Sequence, residues 1–132
     1  MSYLKWKLSE GEIDVVDPMG DLHIIGDDGE IVEKFTNLDV FLGVLVEASN
    51  SIKIGKSVVI DPFTEPHEFH FDFQDRILTI NYGRQQTTIL NRGLFLENIE
   101  QAVTELLAIL DEQSAKENKP KRELVKLRDY TA

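Results

Sequence analysis

The chain has 132 residues, no cysteine and a net charge of −10 at neutral pH. Its length suits one domain with an unstapled core, and the missing thiols exclude a disulfide framework and a thiolate metal site. With 42% apolar and 29% charged residues, the composition is that of a globular protein and excludes wholesale disorder.

Met1 to Leu8 alternates apolar and polar residues, which predicts an additional N-terminal strand in place of a signal peptide. Glu12 to Asp17 alternates again, with Ile13 and Val15 on one face, and reads as a strand ended by Pro18-Met19-Gly20. A strand from Asp21 to Ile25 leads into Gly26-Asp27-Asp28-Gly29, a hairpin signal because Asp-Gly accepts positive φ angles. The next strand is Glu30 to Phe35. The period then changes to about 3.6, with Leu38, Phe41, Leu42, Leu45 and Ala48 on one stripe. This predicts a helix capped by Thr36 or Asn37 and ended by Ser49-Asn50-Ser51.

A second β-rich block follows. Lys56 to Ile60 reads as a strand, and His67 to Phe73 alternates cleanly, with His67, Phe69, Phe71 and Phe73 opposite Glu68, His70 and Asp72. Arg76 to Tyr82 and Gln85 to Leu90 complete an antiparallel meander. Leu94 to Gln113 then carries Phe95, Ile99, Ala102, Val103, Leu106, Leu107 and Leu110 on one helical face. The expected fold is α+β, in the order β-β-β-α-β-β-β-α. An antiparallel sheet of about six strands would carry two amphipathic helices packed on one face. Residues 1–113 form the domain, and residues 114–132 a basic polar tail, mobile or weakly docked. No apolar run approaches the ~18 residues of a membrane span, so the expected location is cytoplasmic, with no membrane partner.

Few motifs carry chemistry. Gly55-Lys56-Ser57 resembles the end of a phosphate-binding loop, but Asn50 stands where that loop needs glycine, a helix precedes it and β-branched residues follow. His67 and His70 point to opposite faces of one strand, and His70 with Glu68 and Asp72 diverges along a strand face too far for metal ligation. His23 stands alone. The aspartates between Asp14 and Asp28 lack the spacing of a calcium loop, and no nucleophile elbow is present. No catalytic residue, cofactor or metal is expected, and the balance leans away from an enzyme.

The charge is the more informative feature. Residues 1–113 hold 8 Lys/Arg against 21 Asp/Glu, and Glu10 to Glu33 holds nine carboxylates with no Lys or Arg. Such a surface repels nucleic acid and attracts a basic partner. The candidate partner-binding residues are Glu12, Asp14, Asp21, Asp27, Asp28, Glu30 and Glu33, together with Phe63. Burial of Phe63 in the core is the stronger expectation for that residue. In size, acidity and lack of cysteine the chain resembles bacterial immunity proteins, which neutralise a toxin by covering its active site. That resemblance implies an antitoxin-type inhibitor whose acidic surface covers a basic partner protein. The alternatives are a secretion or assembly chaperone that uses a sheet edge, and a small ligand-binding protein or enzyme.

Overall fold

The computed structural model describes residues 2–11, 13–63 and 65–117. The first alternating segment forms β1 (Leu4–Leu8), which buries Leu4 and exposes Lys5 and Lys7. It pairs antiparallel with β2 (Met19–Ile25), which turns through Gly26-Asp27-Asp28-Gly29 into β3 (Glu30–Asn37). These three strands make one sheet in the order β1-β2-β3.

The expected strand from Glu12 to Asp17 does not form. Ile13 to Asp17 is irregular, because Asp14 Oδ1 accepts the backbone N–H groups of Val16 and Asp17 at 2.9 and 3.1 Å. A short acidic side chain that bonds the next amides competes with sheet pairing. The place beside β2 goes to β1 instead.

The second sheet holds β4 (Val58–Ile60), β5 (Phe69–Gln74), β6 (Ile77–Tyr82) and β7 (Gln85–Ile89) in that order, all antiparallel. The expected single sheet of six strands is therefore seven strands in two sheets. The two meet where the β2–β3 hairpin docks on β7. Asp27 N–H donates to the Thr88 carbonyl at 2.7 Å, Thr88 N–H to the Asp28 carbonyl at 3.0 Å, and Thr87 Oγ1 to the Gly29 carbonyl at 2.7 Å. Further along, Val32 N–H donates to a side chain, Gln85 Oε1, at 2.7 Å. Gly29 has φ of 84°, and a Cβ there would run into the Gln86 carbonyl. The seam stops short of a full ladder. Between Gly20 and Leu22 the β2–β3 register slips, so that Asp21 faces both Lys34 and Phe35, and such a bulge bends the strand that carries it.

Helix α1 (Leu38–Ile54) buries the predicted stripe and also Val44, Ser49 and Ile52. Asn37 makes no side-chain cap; the Leu38 N–H instead donates to the Pro18 carbonyl at 2.9 Å. The helix continues through Ser49-Asn50-Ser51 because the Ser49 hydroxyl is satisfied within it, donating to the Leu45 carbonyl at 2.8 Å, while Ile52 extends the apolar face. Gly55, with φ of 74°, ends the helix, its N–H donating to Ile52. Gly55-Lys56-Ser57 is thus a helix terminus.

Helix α2 (Arg92–Glu117) starts where Asn91 Oδ1 accepts the Leu94 N–H at 3.0 Å, and it runs past the expected end at Gln113. Its predicted apolar face is buried. The helices pack on each other, α1 also on β2, β4 and β5, and α2 on β1. Among the described residues, no helix is long and apolar enough to cross a membrane. The basic segment from residue 118 onward lies outside the described residues.

Candidate partner-binding site at the sheet seam

The carboxylates singled out from the sequence go to different places. Glu12 lies outside the described residues, and Asp14 shapes its own loop. Asp27 is built into the fold: its Oδ2 accepts from Tyr3 Oη at 2.7 Å and from the Leu90 N–H at 2.8 Å. The Leu90 amide, then the Tyr3 hydroxyl, hold its carboxyl below the usual range, since hydrogen bonds to the charged form favour it. Asp21 has cationic company, with Lys7 opposite it on β1 and Lys34 Nζ at 3.9 Å from its Oδ2. Asp28 and Glu30 are exposed around the hairpin turn. Asp27, Asp28 and Glu30 thus share the hairpin turn, while Asp21 and Glu33 lie further along β2 and β3.

Two phenylalanines stand out instead. Phe63 is 89% exposed, so the expected burial is wrong, and Phe35 is 71% exposed. Both have positive φ, 63° and 48°, a conformation that is strained for a bulky residue. Each is pinned by the same device. Asp61 Oδ1 accepts the Phe63 N–H at 2.8 Å, and Asp21 Oδ1 accepts the Phe35 N–H at 2.9 Å. Two bends that would suit glycine are thus braced by a carboxylate and carry a large ring in solvent. The apolar pull that should have buried Phe63 loses because the ring sits on a tight Asp-Pro turn between β4 and β5.

Two and four residues beyond Phe63 the chain reaches Glu65 and His67, and the His67 ring meets Tyr82. Glu33 sits opposite Leu22, a core residue, and is half-buried. Desolvation first, and the neighbouring Glu65 charge second, raise its carboxyl above the ordinary value, while His67 works in the opposite direction. A carboxyl that is raised on folding supports the fold fully below its unfolded pKa, and that support drains as pH rises through the folded value.

Tyr82 lies in the same place. It is 1% exposed, stacks on Phe69 with centroids 4.2 Å apart, and meets the His67 ring edge-on at 5.3 Å. Its hydroxyl is buried with no hydrogen-bond partner among the described residues. Burial first, then the Glu33 and Glu65 charges, push its phenol up to about 12. Gly83 makes room for His67, since a Cβ there would come within 2.8 Å of the His67 ring. An orphaned buried hydroxyl costs about 1–3 kcal/mol. Tyr82→Phe is accordingly expected to stabilise the free protein by about 1 kcal/mol, which urea unfolding of both proteins will measure.

Glu65, Tyr82 and Phe35 escape a reading of the sequence. Tyr82 reads as the core end of a strand, which it is; only the packing shows its hydroxyl to be orphaned. Phe35 reads as a strand residue because the bulge opposite Asp21 has no glycine to announce it. Comparison with protein-family models, curated proteins and solved structures finds no match to this chain. The class defined by fold and geometry is an α+β domain of two antiparallel sheets with two helices.

Proposed function

We propose that this chain is a protein-binding domain, of the immunity or antitoxin type, that covers a basic surface on its partner. The carrying observation is Phe63, 89% exposed on a strained turn braced by Asp61. Rigid aromatic side chains that enter a partner's pocket supply most of an interface's energy. The acidic body supplies long-range attraction, and Asp28, Glu30 and Glu33 belong to the surface it offers. A strained, solvated ring has no structural use, whereas binding would bury it.

The test is association with the captured basic partner at graded salt. Between ~50 and ~500 mM, screening shortens the reach of charge to a few ångströms, and the on-rate is expected to fall steeply. A stoichiometric basic protein that elutes as salt rises, and is missed by a Phe63→Ala column, supports the reading. A salt-independent on-rate, or no such partner, sinks it.

A second reading, a chaperone that holds an extended segment, has one observation in its favour. Ile25 N–H donates to the Tyr3 carbonyl at 2.8 Å and Ser9 N–H to the Met19 carbonyl at 3.0 Å, so the odd-numbered residues of β1 bond β2. Trp6 therefore turns its backbone to the free edge, beside a groove of about 690 Å³ lined also by α2 residues such as Asn98 and Gln101. Strand addition uses such an edge. Slowed exchange of the Trp6 amide in the complex would favour this mode over docking at Phe63.

A further inference from the structure

Strand β1 ends one sheet and β4 the other, and the two edges are built differently. β1 carries exposed Lys5 and Lys7, charges of the kind that guard an edge against pairing. β4 is Val58-Val59-Ile60, without a charge, and Val59 is 49% exposed. The direction of its hydrogen bonds follows from the neighbouring hairpin. Asp75 and Arg76, with φ of 52° and 70°, form the two-residue turn between Gln74 and Ile77, which makes Gln74 and Ile77 a hydrogen-bonded pair. Such pairs alternate along an antiparallel ladder, so Asp72 and His70 also bond β6, while Phe69, Phe71 and Phe73 turn their backbone to β4. The Phe73 N–H agrees, donating to Ser57 Oγ at 2.9 Å. Val58 and Ile60, opposite Phe71 and Phe69, therefore bond β5, and Val59 turns its N–H and C=O to the open edge.

We infer that this edge receives an extended segment of the basic partner protein, added as a further strand beside Val59. The inference rests on the protein-binding reading above and names how the partner meets the Phe63 turn. An edge three residues long makes too few bonds to hold a strand alone; Phe63, shortly past its end and 89% exposed, supplies the anchor. Main-chain bonds hold an added strand, and its alternate side chains give specificity. Continued by one pair each way, the register sets Ser57 against Asp72 and Asp61 against Glu68, all exposed. Carboxylates thus stand on both sides of Val59 on its outward face. Glu68 Oε1 also has His70 Nε2 at 3.8 Å, and Lys56 falls on the opposite side of the alternation. The matching segment carries an apolar residue opposite Val59, with lysine or arginine two residues to each side. A second copy of this chain fits less well, since β4 paired antiparallel with itself brings Ser57 and Asp61 to those places and no cation.

The experiment is an NMR titration of the full chain with the peptide acetyl-Lys-Thr-Val-Thr-Lys-amide, whose pattern reads alike in both directions. Saturable shifts are expected at the Ser57, Val59 and Asp61 amides, and exchange of the Val59 amide should slow about tenfold or more, as for a gained hydrogen bond. The same peptide with glutamate in place of lysine should give neither. Val59→Pro removes the outward N–H and spares the bonds of Val58 and Ile60 to β5; an unchanged amide spectrum in β6 and β7 will show that it folds, and the shifts at Ser57 and Asp61 should vanish. Asp72→Lys, an exposed change that leaves β4 intact, should reverse the preference between the two peptides. Equal responses to both peptides, a response that survives Val59→Pro, or slowing at Trp6 instead of Val59 overturns the added strand. Slow Val59 exchange in the free chain that depends on its concentration gives the edge to a second copy and overturns the assignment to a partner. A partner captured through Phe63 that leaves Val59 exchange unchanged removes the strand, and docking at Phe63 stands. If no basic partner is captured, that reading fails and the partner strand with it, whatever the peptide does.

Discussion

Replacing Phe41 by alanine is expected to destabilise the protein by about 3–5 kcal/mol, the usual loss when a buried aromatic ring is removed and a cavity remains. Phe41 is 1% exposed and stands on α1 with its ring edge against two rings of the second sheet, Phe69 at 5.5 Å and Tyr82 at 5.7 Å. Those contacts join the helix to the sheet and hold Tyr82 in place at the seam. The cavity cannot close cheaply, because Phe69 is also stacked on Tyr82 and on Phe71. Chemical denaturation will read the loss, and a change below about 1 kcal/mol would mean that this cluster repacks freely.

Replacing Phe63 by alanine is expected to act on the opposite ledger. Its ring makes no core contact to lose, so the stability of the free protein should change by less than about 0.5 kcal/mol. Affinity for the partner should fall by about 2 kcal/mol, roughly thirtyfold, as for a central aromatic anchor. Glycine at the same position should bind as poorly as alanine and yet fold more stably than either, since glycine adopts positive φ without strain. Calorimetric titration of the three proteins separates the effects. An unchanged affinity for Phe63→Ala would remove the anchor and with it the main support for docking at this turn.

Much of the fold was legible in the sequence, and the reasons are local. Both helices follow from 3.6-residue stripes, the β2–β3 hairpin from Asp28-Gly29, and the meander from the alternation around Phe69 and Phe71. Failures arose where a side chain overruled the pattern. Asp14 turned an alternating segment into a loop by bonding Val16 and Asp17, and Ser49 stayed helical by bonding Leu45. The division into two sheets depends on a bulge at Phe35 and a hairpin docked on Thr88, neither of which has a period. For the candidate site, carboxylate density marked a stretch of chain but did not show what its members do. Asp21 and Asp27 turned out to be braces, whereas Glu33 is half-buried and feels the Glu65 charge. Its neighbours Glu65 and Tyr82 come from far along the chain, and no spacing rule links them.

Each sheet is assembled from strands that follow one another in the chain, whereas the seam joins residues as distant as Asp27 and Leu90, 63 positions apart. Closing a long loop must await contacts that repay its entropy. The two halves are therefore expected to gain order early and their junction to form last. The bond from the Leu90 amide to Asp27 is consequently absent from a newly made or partly unfolded chain, and slow exchange of that amide is expected to arrive only with completed folding.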